Sequence, residues 1–263
     1  MRLSAAGLVV LIFIAACAPM PIPTQTAATT TVVAATPPPA HAILAAPTDT
    51  PTGAATSTRV AAVTPTPQVV WRGDLHMHTI CSDGANTYDE MAQRAIDLHF
   101  DFIAITDHVG IAERDCHNES LIKCAAETRL VCFPGAELTA RLHLLAIGIR
   151  QRIDPKLSLK DWVDEIHRQG GLAIAAHPYD PRWKYTEDEL YHSGLDAMEC
   201  ARGKPADNQL QWQLSDRFNL PCVYNSDAHY RKDLGWRYNV CSVPIKSIAD
   251  LKAALMARQC RMN

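Results

Sequence analysis

The stretch Gly73-Asp74-Leu75-His76-Met77-His78-Thr79-Ile80-Cys81-Ser82-Asp83-Gly84 decides how the chain is read. Two imidazoles one residue apart follow the apolar run "VVWRGDL" (69–75), a carboxylate stands five residues beyond His78, and Gly84 lets the chain turn after Asp83. This is either a metal half-site at the end of a strand or an ordinary polar loop. The choice depends on whether the rest of the chain supplies ligands at comparable structural positions.

Outward from that stretch, short apolar runs alternate with amphipathic ones. After the strand at 69–75, Thr87-Tyr88-Asp89-Glu90 is a capping-box pattern that opens a helix through about Leu98, with Met91, Ala95 and Leu98 on one face. Strands are predicted at "FIAIT" (102–106), "LVCF" (130–133), "HLLAIGI" (143–149), "LAIAA" (172–176), "LDAMEC" (195–200), "CVYN" (222–225) and, last, "YNVCSV" (238–243). Helices are predicted from Ser158 to the Gly170-Gly171 pair, near 207–218, and from about Ile248 to Arg258. The stretches 109–130 and 179–194 read as loops. Strands alternating with helices imply parallel βαβ units, and about seven of them in this length predict a compact α/β barrel.

Ligand-type residues fall at the strand ends. His76 and His78 follow the first strand, His108 in "ITDH" the second and Glu137 in "GAEL" the third. His177 in "AAHP" follows the fifth, while Asp227 and His229 in "SDAH" follow the seventh. His143 opens the fourth strand instead of closing it, and is the one residue out of pattern. In a parallel barrel the C-terminal strand ends converge on one face, so residues far apart in sequence meet in one cleft.

The six imidazoles and the carboxylates Asp83, Glu137 and Asp227 are more than one ion can use. Two or three divalent ions, with Glu137 or Asp227 bridging, account for them all, and the mixed nitrogen and oxygen donors suit Zn, Mn or Fe over Ca or Mg. Such a cluster acidifies a water and offsets charge in an in-line displacement at phosphorus. Asp107 reads as an orienting or structural carboxylate, and Glu199 as an orienting, substrate-facing or salt-bridged one. Arg202 is the candidate phosphate-binding cation, with Arg182, Lys184 and Arg231 in loops on the same face. His41, His99, His117, His167 and His192 match no such pattern and read as surface residues.

In order, "DLHMHT…SDG", "AITDH", "GAEL", "HLLAIG", "AAHP" and "NSDAH" resemble the motifs of the PHP (polymerase and histidinol phosphatase) superfamily over about residues 71 to 230. The resemblance implies a distorted (β/α)7 TIM-like barrel with a trinuclear metal centre that hydrolyses phosphoesters through a metal-activated hydroxide. It implies that His76, His78, Glu137 and Asp227 hold one metal, that Glu137, His143 and His177 hold a second, and that Asp83, His108 and His229 hold the third. Glu137, Asp227 and Arg202 are then the expected catalytic residues. The "SDG" form looks closest to a branch of nucleotide phosphatases and a short-RNA exonuclease, which makes a small phosphorylated substrate, a nucleotide or short oligonucleotide among them, the expected partner. The inserted domain usual in that branch is missing, since only 45 positions lead from His177 to Cys222. The rival readings are an amidohydrolase-like hydrolase of a non-phosphate substrate and a non-catalytic metal-binding surface lipoprotein.

The N-terminal part belongs to a different kind of polypeptide. Arg2 precedes an apolar run, Ala5 to Ala16, of about a dozen residues, shorter than the ~20 needed to cross a bilayer, and it reads as a secretory signal. "Ile14-Ala15-Ala16-Cys17" resembles the lipobox of bacterial lipoproteins, so residues 1–17 are expected to be a signal peptide with Cys17 lipidated. Residues 18–67 are mostly Ala, Thr and Pro, with Asp49 and Arg59 the only charges, and read as a disordered tether. The folded domain is then 68–263, extracytoplasmic and lipid-anchored to a bacterial membrane. The eight remaining cysteines favour disulfides in an oxidising compartment, including a local bridge within Cys116, Cys124 and Cys132. A net charge of −3 and the lack of a basic run argue against a nucleic-acid surface, and no sequence feature marks a protein partner.

Overall fold

Aliphatic runs form the strands the sequence predicts, in a computed structural model that describes residues 69–110, 115–200 and 209–263. The expected signal segment, tether, Cys17, His41 and Arg202 lie outside the described residues. The elements run β1 (Trp71–Asp74), α1 (Tyr88–Asp97), β2 (Phe102–Ile105), β3 (His108–Val109), α2 (Cys116–Ala126), β4 (Val131–Thr139), β5 (His143–Ile147) and α3 (Leu159–Arg168). They continue β6 (Leu172–Ala175), α4 (Glu187–His192), β7 (Ala197–Glu199), α5 (Gln209–Phe218), β8 (Cys222–Val223), β9 (Asn239–Cys241), α6 (Ile248–Met256) and β10 (Cys260–Met262).

The strands make one mixed sheet in the order β10-β9-β1-β2-β4-β5-β6-β7-β8, with β3 also paired to β4. The sheet curls into a nearly closed, distorted TIM-like α/β barrel. A parallel bridge between Met77 and Ala228 joins the chain beyond β1 to the chain beyond β8. Elsewhere along this seam Asp74 accepts from Ser226 N (3.1 Å), and amide side chains make further links. Asn239 accepts from Tyr224 N (2.9 Å) and donates to Gly73 O (3.2 Å), and Asn225 accepts from Leu75 N (3.1 Å).

Strands β2, β5 and β6 are buried at every position, as the apolar runs of β2 and β6, and of β5 after His143, require of strands covered on both faces. Side chains then divide with a period of two. Leu145, Ile147, Leu172 and Ile174 pack in one cluster with Phe102, Val223 and the α6 residues Leu251 and Leu255. Leu144, Ala146, Ala173 and Ala175 pack in another against Trp162, Val163 and Ile166 of α3. Each large apolar side chain so buried contributes about 1.5–3 kcal/mol. Thr87, Ser158 and Ser247 cap α1, α3 and α6, each accepting from a backbone N–H three residues on.

The wholly parallel barrel expected from the sequence is corrected at β5, which pairs antiparallel with both β4 and β6. Only Ala140, Arg141 and Leu142 separate β4 from β5, and a parallel crossover needs about a dozen residues or more. Strand β9 is likewise antiparallel to β1, and β10 adds an unforeseen strand antiparallel to β9. The stretches read as loops each contain a helix, α2 and α4. The α4 start was legible, because Thr186 and Glu189 form a capping box. All eight cysteines of the described residues pair, as Cys81–Cys116, Cys124–Cys132, Cys200–Cys222 and Cys241–Cys260, so the expected local bridge is Cys124–Cys132.

Candidate metal centre

Alternation along the chain beyond β1 sends Met77 into an apolar cluster with Met91 and Ile105, which leaves His76 and His78 on the opposite side. Both imidazoles are fully buried at the barrel mouth. The loop carrying Asp83 is tied down by Asp107, which accepts from Thr79 N (2.7 Å), Thr79 Oγ1 (2.8 Å) and Ser82 Oγ (2.6 Å). Asp107 is therefore the structural carboxylate of the two readings. Gly84 is required for space, since a Cβ there would lie 2.5 Å from His78 O.

Glu137 sits inside β4 and not beyond a strand end, opposite His108 of β3 and Leu145 of β5. The reversal of β5 resolves the one residue out of pattern. An antiparallel strand presents its first residue where its neighbours present their last, so His143, paired with Thr139, reaches the same mouth. His177 and Asp227 adopt left-handed backbone conformations, φ 28° and 53°, which non-glycine residues seldom take and which cost about 1–3 kcal/mol each.

The nine ligand-type residues converge in overlapping groups. Around His76 Nε2, the atoms His78 Nε2, Asp227 Oδ1 and Glu137 Oε2 lie at 3.1, 3.2 and 3.3 Å. His78 Nε2 is 3.1 Å from Asp227 Oδ1 and 3.4 Å from Glu137 Oε2. A tetrahedral ion with bonds of about 2.0–2.1 Å sets its ligand atoms about 3.3 Å apart, so the separations of these two imidazoles from each other and from the two carboxylates have the spacing of a transition-metal shell. The other oxygen of Glu137 meets His143 Nδ1 (2.8 Å) and His177 Nε2 (3.1 Å). Asp83 Oδ2 meets His229 Nε2 (3.2 Å) and His108 Nε2 (3.4 Å), and the His78 ring stacks with those of both His108 and His229. The groups share members: His108 Nδ1 also lies 3.0 Å from Glu137 Oε2, and His78 belongs both with His76 and Asp227 and with Asp83, His108 and His229.

Charge is distributed to suit cations. Burial pushes Glu137 up, but the imidazoles of His76, His143 and His177 outweigh it and hold the carboxyl well below its usual range. Asp227 is likewise driven far down against its burial by His76 and His78. Burial works against charge on His76, yet Asp227, Glu199 and Glu137 raise it well above the ordinary imidazole value. For His108 burial prevails and the pKa falls to about 4. The buried nitrogens His78 Nδ1, His143 Nε2 and His177 Nδ1 have no hydrogen-bond partner. Ionised carboxylates among imidazoles with unused nitrogens are the donor set that divalent ions take up.

Glu199 is the orienting carboxylate. Its Oε1 accepts from His76 Nδ1 (2.9 Å) and Asn225 Nδ2 (2.9 Å), and its Oε2 from His177 N (2.7 Å). With Nδ1 so engaged, His76 turns Nε2 to the quartet. One histidine expected at the surface is corrected: His117, on the buried face of α2, lies against Gly135 O (3.3 Å). His167 is at the surface as expected and pairs there with Asp196 (2.7 Å). The misreading of His117 follows from α2, which the sequence pattern did not reveal. Of the expected cations, Arg231 borders a separate groove with Asp89 and Arg94, whereas Arg182 lines a cavity shared with His177 and Asp227. Sequence reasoning missed Trp183, whose ring lies 4.2 Å from that of His143, and Arg237, which lines the same cavity.

A barrel whose mouth gathers six imidazoles and three carboxylates is of the class that holds divalent metals. The PHP domain model matches residues 74–202 and the PHP-associated model residues 205–260. The chain belongs to the PHP superfamily. It is 25% identical over 143 residues to an uncharacterised protein of Methanocaldococcus jannaschii, covering 49% of this chain and 80% of that one. Over 81 residues it is 30% identical to the 5'-3' exoribonuclease Rnm of Salmonella typhimurium, covering 29% of this chain and 27% of that one. A solved two-domain protein of Bacteroides vulgatus, described as containing a predicted PHP-like metal-dependent phosphoesterase, superposes with a TM-score of 0.59 at 22% identity. The match covers 74% of this chain and 65% of that one.

Proposed function

We propose that the protein is a metal-dependent phosphoesterase working outside the cytoplasm, lipid-anchored through Cys17 by the tether 18–67. The observation that carries the hydrolase reading is the quartet His76, His78, Glu137 and Asp227, with the two imidazole nitrogens 3.1 to 3.4 Å from each other and from the two carboxylate oxygens. Relatives described as an exoribonuclease and a metal-dependent phosphoesterase support phosphorus as the reacting atom. The lipobox-like segment and the four disulfides support the location. Among the described residues no helix is long and apolar enough to cross a membrane.

His76, His78, Glu137 and Asp227 would hold one ion; Glu137, His143 and His177 a second; Asp83, His108 and His229 a third. Bound there, divalent ions of the Zn, Mn or Fe type supply Lewis acidity toward phosphoryl oxygens and a water. The chain supplies position and charge. Glu137 turns Oε1 to His143 and His177 and Oε2 to His76, His78 and His108, and so links all three sets. Asp227, on the exposed side of the quartet, is ionised and faces the cavity from which substrate enters. Glu199 keeps His76 in one tautomer.

The test is to purify the protein, measure bound metal, and screen phosphomonoesters and phosphodiesters beside amides and lactones, with His177→Ala and Asp227→Ala as controls. Phosphoester turnover that both substitutions abolish, together with a fall in metal content, is expected. Full activity in both variants, or cleavage confined to amides or lactones, would sink the proposal.

A further inference from the structure

The motif that supplies His177 ends at Pro178, and the chain beyond it folds back on the ligands. Asp180 N donates to His177 O (2.9 Å), Trp183 N to Asp180 O (3.0 Å) and Tyr185 N to Pro178 O (3.0 Å), so residues 177–185 close into a compact loop. Within it the buried carboxylate of Asp180 accepts from Arg182 N (3.0 Å) and from two nitrogens of the Arg182 guanidinium (3.0 and 2.8 Å). Arg182 is thereby committed to the loop, with its guanidinium 4.0 Å from the centre of the Trp183 ring.

Two side chains carry this loop onto a second ligand, His143 of β5. The buried Tyr185 donates its hydroxyl to His143 O (2.6 Å), which also receives Ala176 N (3.2 Å). The half-buried Trp183 ring lies 4.2 Å from the His143 ring at a tilt of 33°, too close for an edge-on contact, and 5.5 Å from the His177 ring. His143 is therefore held at its backbone by a phenol, at Nδ1 by Glu137 (2.8 Å) and along its ring by an indole, while its buried Nε2 has no hydrogen-bond partner. An imidazole that ligates a divalent ion takes on part of the ion's positive charge, and the electron-rich face of an indole attracts a cationic group. The indole also keeps water from the ring it covers, and a drier surround strengthens the attraction between ion and ligand. Trp183 accordingly favours the metal-loaded His143 over the empty one.

We infer that residues 179–185 are a clamp on the set Glu137, His143 and His177, in which Trp183 is the positioning residue for the His143 ring and Tyr185 for its backbone, and that the clamp governs how firmly this set retains its ion. This rests on the metal-dependent phosphoesterase reading above, and the experiment separates the two. Zinc retention is measured on the full-length protein by competition against a chelator of known affinity, beside the Tm of the metal-free protein and turnover of phosphomonoesters and phosphodiesters.

In Trp183→Leu, zinc affinity is expected to fall about tenfold, the loss usual for a partner that orients a ligand. Trp183→Phe keeps an aromatic face and should recover most of that affinity, while the two variants share the same metal-free Tm. Tyr185→Phe removes only the hydroxyl; it should weaken zinc retention about threefold, the effect of one hydrogen bond, and it carries the test if Trp183→Leu does not fold. Zinc retention unchanged in Trp183→Leu, or in Tyr185→Phe where the leucine variant does not fold, would overturn the inference. So would equal losses in the leucine and phenylalanine variants, which would make the indole a filler of space. Either result leaves the phosphoesterase reading standing. A wild type that retains zinc, loses it in the variants as expected and hydrolyses no phosphoester would sink the activity reading and leave the clamp in place. A wild type that retains no zinc would sink both.

Discussion

Glu199→Gln changes one oxygen to an amide nitrogen at nearly constant volume, and its cost follows from where the two oxygens point. Oε1 receives His76 Nδ1 and Asn225 Nδ2, and Oε2 receives the backbone N–H of His177. All three partners donate, so whichever way the glutamine amide turns, its NH2 faces at least one buried donor. An orphaned buried donor costs about 1–3 kcal/mol. The carboxylate is ionised in the native protein, burial being outweighed by His76 and His177, so its charge is also lost. With its orienting partner weakened, His76 no longer favours the tautomer that aims Nε2 at the quartet. Loss of such a partner typically weakens metal binding about 10–100-fold. Competition against a chelator of known affinity would measure that loss, and thermal unfolding of the metal-free protein would measure the structural part. Metal affinity within twofold of wild type, with an unchanged metal-free Tm, would refute the orienting role.

Three further outcomes are expected. Replacing Cys81 and Cys116 by Ser removes a bridge closing 35 residues and tying the Asp83 loop to α2, which should lower stability by about 4 kcal/mol in chemical unfolding; a loss under 1 kcal/mol would contradict this. Asp227→Gly and Asp227→Ala remove the same ligand, but only glycine suits φ 53°, so the glycine variant should be more stable than the alanine one by about 1 kcal/mol in the metal-free state; equal melting temperatures would show the backbone to be unstrained. Burial lowers the pKa of His117 in the folded state, so below the unfolded imidazole value near 6.5 the unfolded chain binds more protons and stability drops with falling pH. His117→Leu should flatten part of that acid limb between pH 7 and 5, and an unchanged slope would remove His117 from the account.

Most of the barrel and all nine candidate ligands were legible in the sequence because most strands are short and apolar with a ligand-type residue near one end, Glu137 inside β4 and His143 at the start of β5 being the exceptions. What escaped detection lay in connections. A three-residue link cannot cross over a sheet, and giving weight to Ala140-Arg141-Leu142 would have reversed β5 and explained His143. Thr186 and Glu189 announced α4, whereas α2 has Asp115 as its cap and a weakly amphipathic face. The role of Glu199 could be narrowed but not chosen, because its partner His76 is 123 residues away. Trp183 and Arg237 gave no signal, since an aromatic or a guanidinium in a loop acquires meaning only from the cavity it lines.

The amide seam has a consequence for the metal centre. Asn239 Nδ2 donates to Asn225 Oδ1 (3.0 Å), Asn225 Nδ2 donates to Glu199 Oε1 (2.9 Å), and Glu199 receives His76 Nδ1 (2.9 Å). Closure of the cylinder and aim of a ligand are therefore one chain of dipoles, and each end senses the other. A chelator should act as a wedge: with His76 released, the backbone amides of Leu75 and Tyr224, which hydrogen-bond only to the two asparagine side chains in this network, should exchange with deuterium faster, while those of β5 stay protected. Equal exchange with and without metal would mean that the barrel closes independently of what it holds.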